Sequence, residues 1–118
     1  MELVLETARR SNFTIFKPMG ELNYEGALRL KQVFQDAFKL DEKNFILDLK
    51  GCKTISSYTL SVILKLNDLI KEKKGILKIV CPPGDVSDIF DVIDIRNVIP
   101  TFSSDEELWR NTAQDSLT

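Results

Sequence analysis

The chain has 118 residues, a formal net charge of -2, 43% hydrophobic and 29% charged side chains, which describes one globular domain able to bury about two thirds of its unfolded surface. This charge balance argues against a broad electrostatic grip on nucleic acid, which needs basic residues to neutralise phosphates, and the apolar runs are too short to cross a bilayer. Histidine is absent, which removes the commonest general base and metal ligand and weighs against an enzyme.

The opening MELVLETARR has an acidic second residue and no signal-peptide layout, so a cytoplasmic protein without membrane insertion is expected. Cys52 and Cys81 lack CxxC spacing and read as free, structural thiols of a reducing compartment. Leu3 and Leu5 share a face of a first strand, and Phe13 and Ile15 a face of a second. The turn Arg9-Arg10-Ser11-Asn12 between them predicts a hairpin. After Gly20, Asn23 is placed to cap a helix whose Ala27, Leu30, Phe34 and Ala37 recur at helical spacing. Gly26 weakens its first turn slightly.

The run FILDL, Phe45 to Leu49, is nearly all apolar, as in a strand buried on both faces. A loop, GCKTISSY, then leads into a second helix over Tyr58–Lys74 with Leu60, Ile63, Leu66 and Ile70 on its buried side. Gly75 is expected to take the left-handed stop. Ile76–Cys81 is another buried strand, ended by Pro82-Pro83-Gly84. A short helix capped by Asp85 buries Val86, Ile89, Phe90 and Ile93. Asn97–Phe102 predicts a last strand at a sheet edge, because Pro100 cannot donate. Either Ser103 or Ser104 can cap the final helix through a capping box, and Leu108 and Trp109 anchor it. This layout is α/β: one domain over residues 1–113, a mixed sheet of about five strands covered by about four helices, and a frayed tail at 114–118.

The stretch TISSYTLSVIL holds the candidate site. In a strand–loop–helix unit of a parallel sheet, the loop lies at the sheet's carboxyl edge, where such domains commonly place working residues. Ser56 or Ser57 serves as N-cap, and one hydroxyl suffices for that, at about 1 kcal/mol. Ser56, Ser57, Tyr58 and Thr59 supply four in a row. Capping alone accounts for them as loop chemistry; a surface read by a partner is the competing account. Catalysis lacks its parts. A nucleophilic serine needs a base, GxSxG is absent, and only Lys53 or Lys65 is available for a Ser–Lys pairing. No phosphate loop of the GxxxxGK[ST] type occurs. The carboxylate pairs Asp41-Glu42 and Glu106-Glu107 fall at turns and helix ends, where solvation and the helix dipole explain them. No cofactor or metal is expected. Around Val92, Ile93 and Ile95, core packing is the simplest account of the apolar side chains.

The order of elements, the tripeptide Gly20-Glu21-Leu22, FILDL, the hydroxyl loop running into LSVIL and the segment DIFDVIDI together resemble a STAS domain, over nearly the whole chain. The resemblance is nearest to bacterial anti-sigma factor antagonists. It implies a non-enzymatic, protein-binding role with an anti-sigma factor that is also a Ser/Thr kinase as partner, and a phosphatase that reverses the modification. In that family the loop typically reads Asp-Ser-Ser-Gly-Leu-Gly, and its second serine is phosphorylated. Here Ser56 stands at the Asp position, Ser57 at the first serine, Tyr58 at the phosphorylated one, and Thr59 and Ser61 at the two glycines. This departure makes the resemblance bear on fold and protein binding more than on the switch. It implies partner contact through Asn23, Ser56, Ser57, Tyr58, Thr59 and Ser61, with Ser57, Ser56, Thr59 and Tyr58 as chemically competent phosphate acceptors. A STAS subunit of a transporter or another signalling assembly is the alternative, and a small ligand-binding or enzymatic domain a more distant one.

Overall fold

The computed structural model describes residues 3–117, and side chains through residue 113. β1 (Val4–Arg10) and β2 (Phe13–Leu22) form the expected antiparallel hairpin, in register from Val4↔Met19 to Arg10↔Phe13. Alternation along β2 sends Phe13 and Ile15 to one face and Phe16 and Leu22 to the other. The chain continues through α1 (Tyr24–Lys39), β3 (Asn44–Asp48), β4 (Cys52–Ile55), α2 (Ser57–Glu72), β5 (Ile76–Val80), α3 (Asp85–Val92), β6 (Thr101–Phe102) and α4 (Asp105–Leu117). Among the described residues the sheet has six strands, five in the order β1-β2-β3-β5-β6, with β4 paired to the end of β2; every pairing after the hairpin is parallel.

Both faces of the sheet are covered. On one, Ala27, Leu30, Phe34 and Ala37 of α1 and Leu60, Ile63, Leu66 and Ile70 of α2 pack over Phe16, Phe45 and Leu47. Phe34 meets Phe16 and Phe45 with ring centroids 4.9 Å apart in each pair. On the other face Leu108 of α4 closes over Phe13, Ile15, Ile46 and Val80, and Trp109 stands edge-on to Phe13 with the Arg10 guanidinium 4.1 Å from the indole ring. β3 is thus buried on both sides, as its unbroken apolar run predicts. Ser104 caps α4 in a variant of the capping box: its Oγ accepts from Glu107 N–H at 3.2 Å, and Glu107 Oε2 reaches back one residue beyond the cap to accept from Ser103 N–H at 3.2 Å. Helix α4 continues through Leu117; of the tail expected from residue 114, Thr118 lies outside the described residues.

Several local expectations are corrected. Cys52–Ile55, read as loop, is a strand, because ten-residue β2 overshoots β3 and its exposed ladder groups need a partner. The left-handed residue after α2 is Lys74, at φ 62°. Gly75 is required for space instead: a Cβ there would lie 1.9 Å from the Lys43 carbonyl oxygen. Asp85 does not cap α3; Gly84 occupies the cap without a side-chain bond, and Asp85 sits inside the first turn, where a carboxylate suits the dipole. The last strand shortens to Thr101–Phe102, since Ile95–Asn97 winds into a 3-10 turn after a left-handed Asp94 and Ile99 turns fully inward. Packing accounts for Ile95 alone in that region; Val92 is 84% and Ile93 42% exposed. Glu42 is not merely solvated: it accepts from the Thr14 hydroxyl and pairs with Arg9.

Candidate functional site

The parallel register pairs Leu22 of β2 with Ile55 of β4. Each strand passes directly into a capped helix, so this register sets the caps Asn23 and Ser56 side by side. Asn23 Oδ1 accepts from Gly26 N–H at 2.9 Å, and Ser56 Oγ accepts from Thr59 N–H at 3.1 Å. The junctions are then locked together. Ser56 N–H donates to Leu22 O at 2.9 Å. The Thr59 hydroxyl donates to the same carbonyl at 2.7 Å, lies 3.4 Å from Asn23 O, and is 2.8 Å from Ser56 Oγ. Gly26 belongs to this lock as well, because a Cβ there would stand 3.0 Å from Glu21 O.

What projects from this platform is a mixed aromatic and hydroxyl surface. Tyr24 and Tyr58, first-turn residues of α1 and α2, place their rings 4.8 Å apart and are 59% and 37% exposed. Asn23, Ser57 and Ser61 are exposed beside them, and Ser61 Oγ donates to Ser57 O at 3.3 Å. Helix α2 has no acidic residue in its first turn, whereas α1, α3 and α4 carry Glu25, Asp85 with Asp88, and Asp105 with Glu106 and Glu107. The positive end of its dipole is therefore not neutralised from within the helix. Below the rings, Ser61, Val62, Lys65 and Leu69 of α2 face Lys31 and Gln35 of α1 across a trough of about 470 Å³.

Of the residues singled out in the sequence, Asn23, Ser57, Tyr58 and Ser61 converge on one exposed patch. Ser56 is half-buried with its oxygen engaged in the cap, and Thr59 is wholly buried. Its hydroxyl is a structural donor, so Thr59 offers nothing to a partner and no accessible oxygen to a kinase while the helix start is intact. Tyr24 was missed. Its signal was the alignment of Leu22-Asn23-Tyr24 with Ile55-Ser56-Ser57, which becomes visible only once Cys52–Ile55 is known to be a strand. Lys53 and Lys65 are exposed, and neither hydrogen-bonds to a serine among the described residues. No cluster of three His, Cys, Asp or Glu side chains is arranged to hold a metal among the described residues. Burial pushes the Cys52 thiol up to about 11 and raises Cys81 too, so neither is an activated nucleophile. No helix among the described residues is long and apolar enough to cross a membrane.

A family model described as STAS domain matches residues 4–108. No curated protein sequence matches the chain significantly. Among solved structures, a Thermotoga maritima protein assigned as an anti-sigma factor antagonist superposes with a TM-score of 0.83 at 21% identity, covering 91% of this chain and 92% of that one. An anti-sigma factor antagonist from Mycobacterium paratuberculosis gives 0.83 at 11% identity, with 93% of each chain covered. The Bacillus cell fate determinant SpoIIAA in its phosphorylated form gives 0.69 at 13% identity, over 94% of this chain and 99% of its own. At these identities the superpositions establish a shared fold. With the family model spanning nearly the whole sheet and both capped junctions, the chain belongs to the STAS domain family.

Proposed function

We propose that this protein is a regulatory binding module that acts as an anti-sigma factor antagonist, gripping an anti-sigma factor kinase through Asn23, Tyr24, Ser57, Tyr58 and Ser61. The observation that carries this reading is the exposed pair of tyrosines set on two helix starts, each already closed by its own side-chain cap. A rigid platform loses little entropy on docking, and a tyrosine buries a ring while keeping one polar handle, which makes it a favoured interface anchor. The solved neighbours named as anti-sigma factor antagonists support the partner class. Binding is stoichiometric, without turnover, and takes place in the cytoplasm.

Phosphorylation is the regulated form of this reading. Ser57 is the acceptor: it is exposed beside Tyr58, whereas Ser56 and Thr59 have their oxygens inside the lock. Tyr58 would require a serine kinase site to admit an aromatic ring. A phosphoryl group adds roughly -2 charge at pH 7, and the start of α2, with no acid of its own, tolerates it. The fold persists while the interface fails, because the dianion would have to be desolvated on docking.

The test is affinity capture from the source cell with the wild-type protein and with Ser57→Asp, followed by titration calorimetry on the captured partner. An anti-sigma factor recovered by wild type and lost with the variant supports the reading. Capture of a transporter or other signalling subunit by the same surface rejects sigma control and leaves a binding module. With that kinase and ATP, one phosphate on Ser57 is expected by intact and fragment mass; none on any loop hydroxyl rejects the switch.

A further inference from the structure

We propose that the trough between α1 and α2 docks an acidic, amphipathic helical segment of the partner; this rests on the protein-binding reading above and names the second half of its interface. The trough is continuous with the cap surface, since Tyr58 and Ser61 belong to both. It extends down α1 to Gln35 and down α2 to Leu69. At 1.5 Å per residue, the eleven-residue step from Tyr58 to Leu69 along α2 gives a length of about 16 Å, three turns of helix, with Lys31 and Gln35 of α1 forming the facing wall.

Its chemistry selects the occupant. Val62 and Leu66 make an apolar floor and Leu69 is left partly open, while Lys31 and Lys65 rise on opposite walls. No carboxylate lines it, and neither lysine is ion-paired among the described residues. In a chain of net charge -2, this is a local basic seam over an apolar strip, complementary to leucines flanked by glutamates. The walls are helices whose backbone groups are already bonded, so no edge is offered to an extended peptide. An incoming segment must satisfy its own backbone, as a helix does. An anionic membrane is the weaker match. Polybasic recognition uses clusters of about four to eight cations, and here only two lysines line the trough, on helices whose five basic residues (Arg29, Lys31, Lys39, Lys65, Lys71) are interspersed with four acidic ones (Glu25, Asp36, Asp68, Glu72).

The test uses the intact, isotopically labelled protein and nuclear magnetic resonance. The probe is a synthetic helical peptide of about four turns with leucines at i, i+4 and i+7 and flanking glutamates; a matched peptide carries lysines instead. Saturable shift changes are expected at Lys31, Gln35, Ser61, Lys65 and Leu69 with the glutamate peptide. The lysine peptide, and the double variant Lys31→Glu/Lys65→Glu, should bind at least about tenfold more weakly. Charge-blind binding, shifts centred on the exposed Val92 and Ile93, no saturable change, or displacement of the peptide by phosphatidylglycerol vesicles would overturn the inference. With the captured partner, a complex weakened by Ser57→Asp but not by the lysine double variant sinks the trough and leaves the cap reading standing. A complex indifferent to both variants sinks both.

Discussion

Ser57→Asp should move stability and binding in opposite directions. Ser57 is exposed at the first position of α2, its side chain makes no hydrogen bond among the described residues, and the cap is held by Ser56. A carboxylate placed there meets a dipole that no first-turn acid neutralises, which stabilises by about 0.3–1 kcal/mol. With an unfolding entropy of about 2.1 cal/mol/K per residue, 118 residues give about 0.25 kcal/mol/K. The thermal midpoint should therefore rise by about 1–4 °C in low salt, and the gain should vanish near 1 M NaCl, where the Debye length is about 3 Å. In the docked state an unmatched carboxylate costs about 2–5 kcal/mol, so calorimetry should show affinity down at least about 30-fold. Ser57→Asn, neutral and close in shape to Asp, should stay near wild type in both measurements. A midpoint lowered by several degrees, or an unchanged dissociation constant, refutes the placement of Ser57 as a free interface residue on a helix start capped by Ser56.

Other expectations follow from single contacts. Thr59→Val keeps the volume but deletes the hydroxyl bonded to Leu22 O; urea melts should show a loss of about 1–2 kcal/mol, and no loss would place that hydroxyl in solvent. Lys74→Gly should stabilise by about 0.5–1 kcal/mol by relieving the left-handed side chain. Gly75→Ala should cost about 3 kcal/mol through collision with Lys43 O; equal effects at the two positions would contradict this division of roles. The Cys52 thiol, pushed up to about 11, holds almost no thiolate at pH 8, so iodoacetamide should modify it at least about 100-fold more slowly than free cysteine, as read by mass. Burial holds its folded pKa above the ordinary thiol value. The folded state then holds the proton longer, and stability should fall as pH rises from 9 towards 11, less so in Cys52→Ser.

Much of this architecture was written in short-range pattern. The Ala27–Leu30–Phe34–Ala37 stripe, the unbroken apolar run of β3 and the caps Asn23 and Ser104 depend on residues within a turn or two of each other, where side-chain type and period decide the outcome. The resemblance to the family rested on the order of those same elements. Other features required chain segments about thirty residues apart to meet. β4 exists because the end of β2 needs a partner, and only its register sets Tyr24 against Tyr58 and turns the Thr59 hydroxyl inward. Serine, threonine and tyrosine look equally polar in a string of letters, and only the packing of two helix starts sorts them into lock and surface. The division between Lys74 and Gly75 is of the same kind: a glycine after a helix suggests a left-handed stop, but the approach of the Lys43 carbonyl is what demands it. Local chemistry thus determined which elements form, while steric and hydrogen-bond contacts between distant segments decided which hydroxyls remain available to a partner.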